Sequence, residues 1–434
     1  MKNDLLARVE GLKPLWEATA GAWHGFPPLA QGRRCDVAVV GGGFTGLSAA
    51  LASAQGGARV TLVEAGTIGC RASGRNAGQV VPGLKPRADR VVAAFGSERG
   101  RRMLDFAHAA ADRTFDLITR HGIDCDPTRN GWIQGAFSPF AREDLLQRSE
   151  INALHGGNVE FLDERRVAAL TGSRFHHGGM LERGAGAVHP LKLARGLARA
   201  ASAAGAVLHE GTRATSIEPT GATWSVTTDA GQLVADRVIL ATDAYTDRLW
   251  PRLTQSLINV TSAQLATAPL PPALLAQILP ARAGVSETRK ITYYYRIDPE
   301  GRFVIGGRGP SDDGLDRATI QRIARAAVER FPQLQGMPWE HGWSCRVAMT
   351  LDDMPHVHEL APGAWTAVGY CGRGVAMAVS LGEMLAGLAL GKRADDAAYP
   401  LTPLRRVPLH PLRQPGAAAA IMYYRMKDRL GLPT

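Results

Sequence analysis

Three glycines, Gly41, Gly43 and Gly46, are spaced as G-x-G-x-x-G directly after an apolar run at residues 37–40. Glycine has no side chain, so this spacing allows a tight turn and lets the backbone approach a pyrophosphate closely. Glu64 follows a second apolar run, where a carboxylate accepts hydrogen bonds from ribose hydroxyls. The chemistry that these residues indicate is the binding of a dinucleotide, with FAD and NAD both open.

Two strands and a helix must position these groups. Residues 37–40 are short, unbroken and rich in valine, which is typical of a buried parallel strand. Residues 47–55, rich in alanine and leucine, predict a helix that ends at Gly56 and Gly57. Residues 59–63 predict the second strand. The order is the complete fingerprint of a Rossmann-like domain, and it adds Phe44, Thr45 and Ala65 to the predicted cofactor contacts.

After Glu64 the chain does not proceed to another helix and strand. It runs instead through small and polar residues, which can lay their backbone along an extended cofactor or form a long surface loop. Ser73 and Arg75 are available to a pyrophosphate. The predicted contacts in this segment are Ala72, Ser73, Arg75, Asn76, Ala77, Gly78 and Gln79.

A later block predicts a small β-meander that returns to the same sheet. Residues 224–228 alternate, a turn follows at 229–231, and an apolar strand covers 238–240. Ala214, before the meander, and Ala241, after it, are further predicted cofactor contacts.

Four blocks carry a family resemblance: "SGRNAGQV" at 73–80, "ATDAYTDRL" at 241–249, "RFVIGGR" at 302–308, and "VAMTLDDMPHV" with "GYCGRGVAMA" near the end. In these blocks the chain resembles the D-amino-acid-oxidase-like superfamily of FAD-dependent oxidoreductases, which includes the sarcosine, glycine and pipecolate oxidases. Within it the chain is similar to the γ-glutamylputrescine-oxidase-like branch. The resemblance covers nearly the whole length and implies FAD rather than NAD.

The implied fold class is α/β with an α+β second domain. A Rossmann-like FAD-binding domain of the glutathione-reductase type is expected at 30–90, 185–248 and 340–400, and an antiparallel-sheet substrate domain at 91–184 and 249–339. Residues 401–434 are expected to form a C-terminal tail with a helix. Within the substrate domain, helical spacing predicts one long helix at 104–118, and 288–307 predicts a hairpin with its turn at 298–301.

"GYCGRGVAMA", residues 369–378, is a second glycine-rich stretch, followed by a predicted buried helix over 375–390. A free helix N-terminus presents N–H groups and partial positive charge, which would stabilise the anionic reduced flavin. A second nucleotide site would need its own following strand with an acidic residue, but the proline-rich sequence after Gly391 shows no strand signal, so one cofactor contacted twice is predicted. The expected contacts are Gly372, Arg373, Gly374, Val375 and Ala376.

The hairpin and its surroundings supply the candidate catalytic residues. Tyr293 and Tyr295 share one face and Tyr294 and Arg296 the other, and an alternating aromatic strand serves packing more often than substrate contact. The candidates are Tyr293, Tyr295, Lys290, His189 and Arg373. The resemblance implies for Lys290 a role in the reaction with oxygen, against the alternative of an exposed lysine. His189 either contacts substrate or caps a helix.

Two departures from the sarcosine-oxidase type limit the expected substrate. Ala376 stands where that type carries a lysine that grips a carboxylate, so another cation must serve: Arg75, Arg296, Arg308 or Arg373. Cys345 lies near the position of a cysteine that tethers the flavin, but a buried inert thiol is the commoner state. FAD is therefore expected to be bound without a covalent bond, and no metal site is expected.

Composition excludes several classes. A formal charge of +10 is scattered rather than gathered in a basic block, which speaks against a nucleic-acid partner. Five cysteines without a C-x-x-C pair favour a reducing, cytoplasmic compartment, and no apolar stretch is long enough to span a membrane. The N-terminus lacks the pattern of a secretory signal.

The predicted enzyme removes hydride from the carbon beside an amine nitrogen to give an imine. The expected substrate is a secondary amine, a polyamine derivative or a cyclic amino acid such as pipecolate, and O2 or another acceptor takes the electrons. The alternatives are a D-amino-acid oxidase or dehydrogenase and a non-catalytic flavin-binding protein.

Overall fold

The computed structural model describes residues 12–310 and 314–429. Residues 1–11, on which the expectation of no secretory signal rests in part, lie outside the described residues, as do 311–313 of the predicted substrate domain and 430–434 of the predicted tail. The strands are β1 Arg33–Val40, β2 Val60–Val63, β3 Gln79–Val80, β4 Trp132–Gly135, β5 Val159–Leu162, β6 Gly179–Glu182, β7 Gly186–Ala187, β8 Val207–His209, β9 Ala214–Thr220, β10 Thr223–Thr228, β11 Gln232–Leu240, β12 Ile258–Pro269, β13 Gly284–Glu287, β14 Tyr294–Ile297, β15 Arg302–Arg308, β16 Trp339–Met349, β17 His356–Ala361 and β18 Ala364–Val368. The α-helices are α1 Leu15–Thr19, α2 Phe44–Gln55, α3 Ala72–Arg75, α4 Ala88–Phe95, α5 Ser97–His108, α6 Ala110–Arg120, α7 Pro139–Leu154, α8 Glu164–Thr171, α9 Pro190–Ala203, α10 Pro251–Thr254, α11 Pro272–Leu275, α12 Arg317–Arg330, α13 Gly374–Ala389 and α14 Arg413–Arg429.

The first sheet has the order β17-β18-β11-β1-β2-β8, with β9 and β10 attached to β11 as an antiparallel extension. β1 runs parallel to β2 and to β11, and Val40 is in register with Val63 on one side and Leu240 on the other. The carboxyl ends of these three strands therefore meet at one edge, where ligands of doubly wound sheets bind.

Helices α2 and α13 cover one face of this sheet and pack against each other. The Ser48 hydroxyl of α2 donates a 2.7 Å hydrogen bond to the Val379 carbonyl of α13. Met103 of α5 and Phe115 of α6 belong to the same apolar core. The predicted single helix at 104–118 is two helices in the structure, because α5 ends at His108 and α6 begins at Ala110. Beside this break the Arg113 guanidinium bonds to the Phe106 carbonyl.

The second sheet has the order β16-β12-β15-β14-β13-β4-β6-β5, and its pairs are antiparallel except for β13 with β4. The predicted hairpin is present as β14 and β15, joined through residues 298–301. One face of the sheet packs against α12 through Ile320 and Ile323. The predicted fold class, an α/β domain with a second domain built on an antiparallel sheet, is confirmed.

One predicted domain boundary needs correction. Residues 340–349 were assigned to the FAD-binding domain, but β16 pairs along its whole length with β12 of the second sheet. β16 ends at Met349, and the loop at 350–355 leads from it back to the first sheet at β17. The return to the first domain therefore falls after Met349.

A buried ion pair joins α12 to the second sheet. Glu287 ends β13 and Arg330 ends α12, and both side chains are fully buried. The guanidinium Nη2 lies 2.9 Å from Glu287 Oε2, and the carbon of the guanidinium lies 4.3 Å from the ring centroid of Phe175 and 4.7 Å from that of Tyr293. The pair thus fixes the helix on the face of the sheet that carries Tyr293.

Candidate functional site

The turn after β1 leaves no room for a side chain at two of its glycines. Gly41 has φ +114°, and a Cβ there would lie 2.7 Å from the Ala241 carbonyl oxygen. A Cβ on Gly46 would lie 2.0 Å from the Gly41 carbonyl oxygen, which leaves no room for a side chain. Gly43 caps the twelve-residue helix α2 without a side-chain hydrogen bond. The first amides and the positive end of α2 therefore suit a phosphate group.

Glu64 lies directly beside this turn. Its Oε2 accepts a 2.7 Å hydrogen bond from the Gly42 amide, and its Oε1 accepts one of 2.8 Å from the Gly66 amide. The carboxylate is thus held at the carboxyl end of β2, at the place where ribose recognition was predicted. Ala65 is its neighbour in the chain, and Ala214 begins β9 in the same sheet.

The segment 72–79 folds back on the glycine turn. The Ser73 hydroxyl accepts a 2.9 Å hydrogen bond from the amide of Phe44, the first residue of α2. The Asn76 side chain donates to the carbonyls of Ala72 and Ser73 and accepts from the Gly78 amide. These bonds make the segment a compact second wall of the predicted cofactor site rather than a free surface loop.

The same segment is tied to the second sheet. The Arg75 carbonyl accepts a 2.6 Å hydrogen bond from Gln264 Nε2 of β12 and one of 2.9 Å from Trp343 Nε1 of β16. Its guanidinium pairs with Glu17 Oε1 at 2.7 Å, so in this structure the Arg75 side chain is engaged with α1. Gln79 Nε2 donates to the Tyr295 carbonyl at 3.2 Å. The predicted role of Arg75 at a pyrophosphate stays a prediction.

The second glycine-rich stretch meets the first. It leads from β18 into α13, whose first turn has no side-chain cap. Tyr370 and Thr45 share a 2.6 Å hydrogen bond between their hydroxyls, which brings the start of α13 beside the start of α2. Gly372 lies in this loop, Gly374 begins α13, and Val375 and Ala376 are buried in the first turn of that helix. The structure thus places both glycine-rich stretches at one site.

The prediction that Tyr293 and Tyr295 contact substrate needs correction. Tyr295 is 1% exposed, its hydroxyl is 2.6 Å from His176 Nε2, and it packs on Phe303. Both tyrosines face α12, because that amphipathic helix covers the odd-numbered side of β14. The opposite face carries Tyr294, whose hydroxyl bonds to that of Ser262, and Arg296.

Arg296 faces the first domain. Its Nη2 donates a 2.8 Å hydrogen bond to the Val188 carbonyl, and its guanidinium carbon lies 5.0 Å from the ring centroid of Trp16. Burial lowers the pKa of Arg296 to about 10.

His189 and Lys290 have partners of their own. His189 caps α9, because its Nδ1 accepts a 3.2 Å hydrogen bond from the Lys192 amide, and its Nε2 bonds to the Thr19 hydroxyl at 3.0 Å. Burial lowers the pKa of His189 to about 4, so the ring is neutral. Lys290 is partly exposed and its Nζ lies 2.7 Å from Asp353 Oδ2. The geometry favours a capping histidine and a lysine in a surface ion pair, and the catalytic roles of both stay predictions.

Arg373 stands just ahead of α13 and reaches across the site. Its Nη1 donates to the Leu84 carbonyl at 3.0 Å and the Pro82 carbonyl at 3.4 Å, and its guanidinium carbon lies 5.2 Å from the ring centroid of Trp132. Among the described residues no carboxylate lies within 4 Å of it. Burial lowers its pKa to about 9. Such a guanidinium has donors left for an anionic ligand group.

Sequence reasoning missed two residues near this site. Glu182, at the end of β6, is 5% exposed, and His108, at the end of α5, lines the same cleft as Arg373. Period-two alternation places Glu182 on the same buried face of β6 as Met180, so the sequence already contained a pattern that indicates burial of Glu182. Across residues 12–310 and 314–429 no cluster of His, Cys, Asp or Glu could hold a metal, and no helix is long and apolar enough to cross a membrane.

A largely parallel first sheet with two helix N-termini at one edge, combined with an antiparallel second sheet, is typical of a two-domain dinucleotide-binding protein. The family model DAO, described as FAD dependent oxidoreductase, matches residues 36–388. The chain belongs to this family, and FAD is therefore its cofactor, as predicted.

Individual relatives agree with this assignment. The chain is 32% identical over 424 residues to the probable oxidoreductase OrdL of Rhizobium meliloti, covering 95% of this chain and 97% of the relative. It is 30% identical over 433 residues to the gamma-glutamylputrescine oxidoreductase of Escherichia coli, covering 98% and 100%. The crystal structure of glycine oxidase from Geobacillus kaustophilus superposes with a TM-score of 0.71 at 24% identity, over 86% of this chain and 99% of that chain, which shows a shared fold.

Proposed function

We propose that this FAD-dependent oxidoreductase oxidises the carbon–nitrogen bond of an amine to an imine. The substrate is a secondary amine, a polyamine derivative or a cyclic amino acid such as pipecolate. Relatives named for γ-glutamylputrescine and glycine support an amine or amino acid. The observation that carries the proposal is the Thr45–Tyr370 contact, which joins the two glycine-rich stretches into one cofactor site beside the cleft that Arg373 lines.

Each part of the site has a task in this reaction. FAD, held by the turn at Gly41 and the start of α13, would supply the acceptor for a hydride from the carbon beside the nitrogen. The turn at Gly41 and Gly46 holds a pyrophosphate with backbone amides. The start of α13 supplies N–H groups to a negatively charged ring edge. Arg373 binds an anionic group of the substrate, and the apolar cleft walls exclude water, which keeps the amine neutral.

We further propose that FAD is held without a covalent bond. Cys345 is 4% exposed, and its Sγ lies 3.8 Å from the Arg75 carbonyl. Both observations fit a buried thiol. None of the five cysteines, all of which lie within the described residues, forms a disulfide, which supports the predicted reducing, cytoplasmic compartment. Acid precipitation tests the linkage: yellow supernatant supports non-covalent binding, and a yellow pellet with colourless supernatant contradicts it.

Anaerobic bleaching of the holoenzyme tests the reaction. Pipecolate, γ-glutamylputrescine, N-methyl amino acids and D-amino acids are each mixed with the oxygen-free yellow protein, and flavin absorbance is followed. Bleaching by a secondary amine or polyamine derivative supports the proposal, whereas bleaching by D-amino acids alone favours the alternative oxidase. If none bleaches the flavin, the protein is better explained as a flavin-binding protein. Readmission of air then shows whether O2 is the acceptor.

A further inference from the structure

The C-terminal segment that ends in α14 exposes an unusual number of large apolar side chains. Among the residues that the structure describes, nine such side chains are exposed, and five of them lie within 409–426. These five form the tail patch: Leu409, Leu412, Met422, Tyr423 and Met426. Single exposed apolar residues are ordinary on a protein surface, whereas a concentration of them marks a contact surface.

Helical spacing puts the second half of the tail patch on one side of α14. Met422, Tyr423 and Met426 follow Ala419 by three, four and seven residues, so the four lie along one stripe of the helix. All four residues are exposed. The helix therefore carries a continuous apolar stripe that faces solvent.

The opposite side of α14 and the segment before it attach to the rest of the protein. The ring centroid of Tyr424, which is half-buried, lies 6.0 Å from Lys290 Nζ. Before the helix, the amide of the buried Val407 donates a 2.9 Å hydrogen bond to the Gln255 carbonyl. The apolar stripe is thus not the side by which α14 packs on its own protein.

The same segment carries a large share of the positive charge. Residues 401–434 contain six arginines and lysines and one acidic residue, which gives them +5 of the net +10 of the whole chain. Arg405 and Arg406 are exposed four and three residues before Leu409, and Lys427 Nζ lies 5.7 Å from the ring centroid of Tyr423. Cations therefore accompany the tail patch at both of its ends.

This combination of apolar and positive groups selects among the surfaces that could cover the tail patch. A second copy of the chain would bring its own positive segment against the first, and five side chains are few for a stable interface of roughly 20–30 residues a side. A nucleic acid offers phosphates but no apolar layer. A bilayer surface with anionic lipids offers both, because apolar side chains can enter the acyl boundary while arginine and lysine stay at the headgroups.

We propose that residues 405–429 dock the protein on the surface of an anionic lipid bilayer. The tail patch enters the boundary between headgroups and acyl chains, and Arg405, Arg406 and Lys427 contact anionic headgroups. In this arrangement α14 lies on the bilayer rather than crossing it. The docking goes beyond the proposed reaction and does not depend on which amine is oxidised.

Cosedimentation of the holoenzyme with lipid vesicles tests the docking. One set of vesicles contains phosphatidylcholine alone, and the other contains an equal mixture of phosphatidylcholine and phosphatidylglycerol. We expect the wild type to bind the mixed vesicles at low salt, to bind the phosphatidylcholine vesicles at least about tenfold more weakly, and to lose affinity as salt rises. Flavin absorbance in the pellet measures the bound protein.

Paired substitutions separate the apolar contribution from the electrostatic one. Met422→Ser combined with Met426→Ser keeps every charge, and its affinity for the mixed vesicles should fall at least about tenfold because two apolar side chains no longer leave water. Arg405→Gln combined with Arg406→Gln should weaken binding by about tenfold and reduce its dependence on salt.

The matched control removes two exposed apolar side chains from another part of the surface. Phe140→Ser combined with Leu154→Ser changes the two ends of α7, and this variant should bind the mixed vesicles as the wild type does. Flavin content per protein, which we expect to be equal in all variants, establishes that each variant is folded.

Failure of the wild type to bind the mixed vesicles overturns the proposal, and so does equal binding by the wild type and the variant with Met422→Ser and Met426→Ser. Light scattering without lipid tests the competing occupant. A wild-type dimer that becomes monomeric in the same variant would assign the tail patch to a second copy and would also overturn the proposal. None of these measurements involves turnover, so the docking and the proposed reaction can fail separately.

Discussion

The hydroxyl groups of Thr45 and Tyr370 lie 2.6 Å apart although the two residues are separated by 325 positions in the chain. Thr45 is in the first turn of α2, and Tyr370 lies in the loop that leads into α13. Both side chains are buried. The bond therefore fixes the two helix N-termini relative to each other at the cofactor site.

Breaking this bond should weaken both folding and flavin binding. Tyr370→Phe leaves the Thr45 hydroxyl without its partner, which costs about 1–3 kcal/mol of unfolding free energy. Urea unfolding of the holoenzyme measures the loss, and flavin titration measures the affinity. Thr45→Val combined with Tyr370→Phe completes a double-mutant cycle, in which additive losses would contradict a direct interaction.

A methyl group at Gly41 should empty the cofactor site. Gly41→Ala places a Cβ 2.7 Å from the Ala241 carbonyl oxygen at φ +114°. We expect the purified variant to keep less than about a tenth of the wild-type flavin, because a backbone clash cannot be relieved by a side-chain rotation. Visible absorbance per protein measures this. Gly416→Ala, where nothing lies within 4 Å of the new Cβ, is the control and should stay yellow.

The buried pair of Glu287 and Arg330 should be costly to break from one side. Glu287→Gln removes the buried carboxylate from Arg330 and leaves it only the half-exposed carboxylate of Glu329 at 3.3 Å, for which we expect a loss of about 3–5 kcal/mol in unfolding free energy. Replacing both residues by methionine should cost less than the single change. A double variant that is as unstable as Glu287→Gln would show that the charge itself is not the cause.

Acid should destabilise the second domain through His176. Burial lowers the pKa of His176 to about 4 from an ordinary 6.5, so below pH 6.5 the unfolded chain takes up the proton first. The stability that the neutral His176 ring contributes is fully present above pH 6.5 and is lost as pH falls towards 4. The resulting loss in unfolding free energy is at most about 3 kcal/mol. In His176→Gln the unfolding free energies measured at pH 7.5 and at pH 4.5 should differ less than they do in the wild type. The exposed control His24→Gln should keep the wild-type slope.

The sequence predicted the first domain well because its signals are local. The strand, turn and helix around Gly41 depend on neighbours in the chain, and so does the run that becomes α13. The hairpin of β14 and β15 was likewise recognised from its turn. The family and FAD followed from motifs of the same local kind.

What failed depended on packing between distant segments. Alternation pairs Tyr293 with Tyr295, but which face meets the cofactor domain depends on α12, which lies further along the chain. Burial of Glu182 beside Arg373 likewise requires β6 and the loop before α13 to meet in space. The division between α5 and α6 at Ala109 is likewise not marked in the sequence, because residues 104–118 contain no glycine or proline.

The Arg75 carbonyl accepts hydrogen bonds from Gln264 and Trp343, on two strands of the second sheet. Although segment 72–79 belongs to the first domain by sequence, its conformation is set jointly by both domains. A chimera that exchanges the second sheet between relatives must therefore carry this segment along with it. Otherwise the Arg75 carbonyl loses the two side-chain donors of Gln264 and Trp343 unless the incoming strands supply equivalent donors.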